Sequence, residues 1–184
     1  FFNEGTTSKV LTTLMEEGYK IESGDKLGKT IIFAKNDKHA EHIVETFNKL
    51  YKNLDGEFCQ KITTKVEKAQ TLIERFVNPN SLPQIAVSVD MLDTGIDVPQ
   101  ILNLVFYKKV KSKAKFWQMI GRGTRKCKDV YGPGQDKKDF LILDFCRNFS
   151  YFEMYGSFDE NNTKLGKSLS SRIFENKVKM IYKL

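Results

Sequence analysis

The stretch TIIFAKNDKHAEHIVETFNKL, residues 30–50, changes its periodicity halfway along. Thr30-Ile31-Ile32-Phe33-Ala34 is a short unbroken apolar run rich in β-branched residues, the pattern of a strand buried on both faces. Asn36 or Asp37 then supplies a side-chain cap, and Ala40, Ile43, Val44, Phe47 and Leu50 fall on one stripe of a helix. The unit recurs. A weaker strand near Phe58–Ile62 is followed by Thr64-Lys65-Val66-Glu67, a capping-box pattern, and by a helix through Phe76 that stops before Pro79. Ile85–Val89, Ile101–Phe106 and Phe140–Asp144 are three more apolar runs of strand length. Strands alternating with amphipathic helices predict an α/β fold, a parallel sheet with helices on both faces whose ligand loops lie at the strands' carboxyl ends.

Short helical segments are expected at both ends of this core. Val10, Leu11, Leu14 and Met15 mark a helix from about Ser8 to Glu17, ended by Gly18, which reads as an approach segment. Beyond Arg147 the polar stretch Asp159–Lys164, followed by Ile173, Phe174, Val178, Ile181 and Tyr182, predicts a linker and a helix. The chain has 184 residues, 40 % of them hydrophobic with 14 Phe and 7 Tyr, which suits one compact core and argues against disorder. No apolar run approaches the roughly 20 residues that span a bilayer, so a soluble chain without a membrane partner is expected. Cys59, Cys127 and Cys146 are an odd number without metal-type spacing, and no secretory signal precedes them. These features point to a reducing, cytoplasmic setting without a disulfide framework. Phe1 is not an initiator methionine, so a piece of a longer polypeptide is expected.

Charge is unevenly spread. The net charge is +7, from 30 Lys and Arg against 23 Asp and Glu. Nine of those bases, Lys108, Lys109, Lys111, Lys113, Lys115, Arg122, Arg125, Lys126 and Lys128, lie between positions 108 and 128 with no acid among them. Such a concentration is an electrostatic footprint for phosphates, of nucleic acid or of nucleotide. A solvated lysine-rich loop is the plain alternative.

Three motifs compete for the chemistry. Gly24-Asp25-Lys26-Leu27-Gly28-Lys29-Thr30 looks like a phosphate-binding loop, but it is one residue short between the glycines, no strand precedes it, and Thr30 enters a strand where phosphate binding needs a helix N-terminus. It is read as a decoy, so the isolated chain is expected to lack ATPase activity. Gln118-Met119-Ile120-Gly121-Arg122-Gly123-Thr124-Arg125 is the stronger signal. On a helix, Gln118, Arg122 and Arg125 would fall within about 60° of one another, opposite Phe116 and Ile120. Gly121 and Gly123 would let a partner surface come close. One amide and two guanidiniums aimed alike suit charge developing on a phosphoryl group. Asp90-Met91-Leu92-Asp93-Thr94-Gly95-Ile96-Asp97-Val98-Pro99, starting where the third strand ends, has the composition of a ligand loop. No His or Glu completes its carboxylates into a metal site, and His39 and His42 are read as surface residues, so no metal ligands are assigned.

These two motifs, in this order, resemble motifs V and VI of superfamily 2 helicases and translocases. Asp90–Pro99 through Phe116–Arg125 is more particularly similar to the motor (R) subunit of type I restriction endonucleases, and Gly28–Asn36 resembles that family's motif IV strand. The likeness covers roughly Val10–Phe149. It implies a RecA-like parallel sheet with helices on both faces, with residues 1–28 a connecting helical segment, 29–149 the second RecA-like helicase domain, and 150–184 a linker and the start of a following helical region. It further implies half of an ATP-dependent double-stranded DNA translocase, with ATP and Mg²⁺ held mainly by a first RecA-like domain absent from this chain. Arg125 would be the arginine finger, Arg122 its companion and Gln118 a polar link, while Gly95 and Asp97 would line the ribose side of the nucleotide. Lys35, Asn36, Ser88 and Thr94 would touch the DNA backbone. Many relatives carry Thr where this chain has Val89, which leaves Ser88 as the hydroxyl there. Methyltransferase and specificity subunits are the implied partners, and any nuclease site would lie elsewhere in the polypeptide. A repair-type superfamily 2 helicase domain and a passive basic nucleic-acid clamp are the competing readings.

Overall fold

The computed structural model describes residues 3–63, 69–89, 97–156 and 178–181. Five runs read as strands are strands: β3 (Lys29–Phe33), β4 (Cys59–Lys61), β5 (Ile85–Ser88), β6 (Ile101–Phe106) and β7 (Phe140–Asp144). With β8 (Val178–Ile181) they form one parallel sheet of six strands in the order β4-β5-β3-β6-β7-β8. A separate two-stranded antiparallel ribbon, β1 (Lys20–Ile21) with β2 (Lys26–Leu27), leads into β3. The register lines up Ala86, Ile31, Leu104 and Ile142 in one row, and Val87, Ile32, Val105 and Leu143 in the next. Successive residues of a strand point to opposite faces, so each row feeds a different core.

One core joins Ile31, Phe33, Leu104, Phe106 and Ile142 to helices α3 (Ala69–Val77), α4 (Lys113–Gly121) and α5 (Asn148–Gly156). The other joins Ile32, Val87, Val105 and Leu143 to α1 (Glu4–Glu17) and α2 (Asp37–Leu50). Both faces are covered, which is why the strands read as unbroken apolar runs instead of alternating ones. In the first core Phe116 packs against Phe106 at 5.1 Å and Phe149 at 4.8 Å between ring centroids, fastening α4 to β6.

Helix α2 starts where its cap residue predicts, with the Asn36 side chain accepting the His39 N–H at 2.9 Å. Helix α1 starts one turn before the expected Ser8, because Asn3 accepts the backbone N–H groups of Gly5 and Thr6 at 2.9 and 3.3 Å. Val10, Leu11 and Leu14 are buried, so α1 packs into the second core. The tail departs from expectation. Residues 178–181, read as part of a helix, pair with β7 as a parallel strand from Phe140↔Val178 to Leu143↔Ile181. The free edge of β7 carries N–H and C=O groups that a short, β-branched segment can satisfy, and that ladder outweighs the weak helical spacing of the tail. Ile173, Phe174 and Tyr182 lie outside the described residues.

Candidate functional site

Helix α4 begins after the carboxyl end of β6 and runs back towards the start of β7. Its last turn unwinds through three short-range backbone bonds, Arg122 N–H to Met119 O, Gly123 N–H to Ile120 O and Thr124 N–H to Gly121 O. The helix therefore ends at Gly121, and Arg125 lies beyond it. This corrects the expectation of one helical edge. Gln118 is exposed on α4, Arg122 is half-buried at the C-cap, and Arg125 is exposed on the segment that follows. Gly123 also has a different role from the one expected. A Cβ there would lie 2.2 Å from the Phe140 ring, so its missing side chain makes room for the protein's own core, whereas Gly121 faces open space.

Phe140 is the first residue of β7, and Asp97 stands four positions before β6 starts. The segment after α4 is thus at the amino rim of the sheet, not the carboxyl rim that the general rule for ligand loops predicts. That rule concerns loops following strands, and this motif follows a crossover helix that has already returned across the sheet. At this rim the structure joins the two motifs, with Arg125 Nε 3.1 Å from Asp97 Oδ1. Both side chains are more than 60 % exposed. An exposed pair of this kind stabilises the fold by about 1 kcal/mol at most, so its consequence is orientation. It holds the guanidinium through Nε, and the two terminal nitrogens of such a group are further donors that suit a ligand.

The carboxyl rim carries the other candidates. Lys35 and Asn36 are exposed just after β3, whereas Ser88 is buried at the end of β5, its hydroxyl away from the surface. Thr94 and Gly95 lie outside the described residues. Lys109, Lys111, Lys113 and Lys115 are exposed beyond β6. The basic stretch 108–128, continuous in sequence, is therefore two patches on opposite rims. Helix α4 separates them by about 13 Å, nine residues at 1.5 Å each. Among the described residues no group of His, Cys, Asp and Glu could hold a metal ion, and no helix is long and apolar enough to cross a membrane.

Residues 8–127 match the family model of the helicase conserved C-terminal domain. The chain belongs to this family. It is 40 % identical over 133 residues to the endonuclease subunit of the type I restriction enzyme EcoKI from Escherichia coli strain K12, a match covering 68 % of this chain and 11 % of that subunit. A solved fragment assigned to the HsdR subunit of a type I restriction enzyme from Vibrio vulnificus YJ016 superposes with a TM-score of 0.66 at 27 % identity, over 85 % of this chain and 29 % of that one. Dbp5 of S. cerevisiae, solved with RNA and ADP BeF3, shares the fold, with a TM-score of 0.58 at 20 % identity over 88 % of this chain and 38 % of that one. The fold is the RecA-like α/β sheet of helicase C-terminal domains. The chain spans a small part, 11 % and 15 %, of the two curated relatives it matches.

Within this helicase C-terminal domain the Gly28-Lys29-Thr30 decoy has a structural use. Lys29 opens β3, is 2 % exposed, and donates to the carbonyls of Ser81 and Pro83 at 2.6 and 2.8 Å. Its amine lies over the Phe76 ring, and burial lowers its pKa to about 8. A lysine spent on two backbone carbonyls at the edge of the core is not presented to a phosphate.

His39 is likewise not a surface residue. It is 4 % exposed, its Nδ1 accepts the Lys35 N–H at 3.1 Å, and its ring meets Tyr107 edge-on at 4.6 Å. The bond fixes the backbone that presents Lys35. Burial first, then the nearby charges of His42 and Lys35, lowers the His39 pKa from 6.5 to about 4. The folded state refuses a proton that the unfolded chain accepts below pH 6.5, so this contribution is complete above 6.5 and is lost as pH falls towards 4. Acidification to pH 5 is expected to cost about 2 kcal/mol through this residue alone. Urea denaturation of wild type and His39→Phe at pH 7 and pH 5 checks it, and an equal loss in both proteins would rule His39 out as the source.

Proposed function

We propose that this domain is the second motor half of an ATP-driven double-stranded DNA translocase of the type I restriction kind. The meeting of Asp97 and Arg125 at the amino rim, with the guanidinium tips exposed, is the observation that supports it most directly. Arg125 is the arginine finger for a nucleotide whose triphosphate and Mg²⁺ are held by the preceding RecA-like domain. The described residues fit that half-role: they offer exposed guanidinium and amide groups, and the lysine of their phosphate-loop lookalike, Lys29, is buried against backbone carbonyls. A guanidinium stays protonated and presents paired donors, which suits charge that grows on the transferring phosphoryl group. Arg122 is its companion and Gln118 a polar link in the same interface, and Asp97 both steers Arg125 and, with Gly95, lines the ribose side.

DNA lies along the carboxyl rim, where Lys35, Asn36 and the exposed Lys109 and Lys111 meet backbone phosphates, contacts largely independent of base sequence; Thr94, outside the described residues, is assigned to the same track. Ser88, buried at the end of β5, meets a phosphate only after a local rearrangement that exposes its hydroxyl. Methyltransferase and specificity subunits complete the assembly, and cleavage belongs to other parts of the polypeptide. The exposed lysines also suit a passive clamp, and the two readings separate in one experiment. ATP turnover stimulated by duplex DNA is expected in a polypeptide joining this domain to the preceding one, and none in this domain by itself. A two-domain polypeptide that binds duplex DNA without turning over ATP would leave the clamp.

A further inference from the structure

The segment 126–139 joins Arg125 to β7, and Lys137 near its end makes two bonds that frame the Asp97–Arg125 pair. Its Nζ donates to Pro99 O at 3.1 Å, two residues beyond Asp97. Its backbone N–H donates to Cys127 O at 2.8 Å, two residues beyond Arg125. The amine also stands 5.7 Å from the centre of the Phe140 ring, the ring on which Gly123 rests. One residue thus touches the backbone that carries Asp97, the backbone that carries Arg125 and the ring against which Gly123 packs.

The pair needs such support. Two side chains that are mostly solvated spend much of their time apart when nothing fixes the spacing of their Cα atoms, because screening and side-chain entropy nearly cancel their attraction. A bond from a half-buried cation to a carbonyl is stronger and less screened than a bond between exposed ions. Partial burial lowers the Lys137 pKa to about 8, as expected for an amine held against the chain.

We propose that Lys137 is a positioning residue which staples the end of motif V to the end of motif VI and so aims Arg125 at the nucleotide of the neighbouring domain. The proposal rests on the motor reading above. It makes Lys137 part of the machinery without contact to the nucleotide, and it gives the segment after motif VI a mechanical role: an error of about 1 Å in a catalytic group is enough to cost up to about 100-fold in rate.

The test uses the two-domain polypeptide. Lys137→Met keeps the aliphatic stem and removes the donor; it is expected to lower the DNA-stimulated kcat about 10-fold with the KM for ATP within about twofold, since a misaimed finger affects the transition state more than the ground state. Lys137→Arg, which still donates to a carbonyl, should recover most of that loss. Lys137→Gln stays polar but is one bond too short to reach Pro99 O, and it decides the matter if the Met variant does not melt cooperatively: a reduced kcat upholds the staple and an unchanged kcat overturns it. A folded Met variant with wild-type kcat also overturns it, as does an Arg variant no better than Met. If Arg125→Ala itself leaves turnover intact, the motor reading fails instead.

Discussion

Arg125→Ala is expected to lower the DNA-stimulated kcat of the two-domain polypeptide by about three orders of magnitude or more, the usual contribution of an arginine finger to phosphoryl transfer. DNA affinity should stay within about twofold of wild type. The reason is geometric. Arg125 is on the amino rim, while Lys35, Lys109 and Lys111 occupy the carboxyl rim at the far end of α4, about 13 Å away. That exceeds the Debye length of about 8 Å at physiological salt, so removing one charge hardly alters the potential along the proposed DNA track. Arg125→Lys keeps the charge and loses the planar fork, and should remain strongly impaired. Asp97→Asn keeps the finger and loosens its aim, so a smaller fall is expected. Steady-state turnover and a DNA titration on the same preparations measure both quantities. A variant Arg125→Ala that turns over ATP normally, or one whose DNA affinity collapses in parallel, would remove the finger from the mechanism.

Gly123→Ala is expected to cost about 3 kcal/mol of stability, the upper part of the range for overpacking. The added Cβ would lie 2.2, 2.3 and 2.7 Å from Phe140 Cδ2, Cε2 and Cγ. Phe140 is 1 % exposed, begins β7 and has Lys137 over its ring, so it has little room to withdraw. For a domain of this size the penalty lowers Tm by about 6–12 °C. Gly121→Ala is the matched control. Nothing stands within 4 Å of a Cβ there, and alanine is the better helix former, so that variant should melt at or slightly above the wild-type temperature. Gly123→Ala should also lose turnover, because any movement that relieves the clash shifts the turn leading to Arg125. Equal melting of the two variants would show that Phe140 yields easily and that the close approach is unimportant.

Much of the architecture was readable from residue order. Each strand of the central five is a continuous apolar run because it is covered on both faces, and Asn36 announced the start of α2 because an unpaired helix N-terminus selects such a cap. Other features carried no local mark. Nothing around His39 distinguishes a buried imidazole from an exposed one, since its burial comes from Tyr107, which follows another strand. Lys137 looks like any lysine in a charged loop, and its value comes from Pro99, far away in the chain. The four residues of β8 have too little length for their pairing to be preferred over a helix until the edge of β7 is known.

For this protein the order of its residues determined the alternation of strand and helix and the motif pair that marks its family, because burial patterns and side-chain types are local properties. Tertiary structure alone decided that the basic stretch divides between two rims, that Arg125 leaves the helix and meets Asp97, and that the guanidinium faces outward from the strands' amino ends. Those outcomes depend on the direction in which α4 recrosses the sheet and on where Phe140 stops its last turn. Such long-range constraints are set by packing between distant segments, to which the periodicity within any one segment is blind.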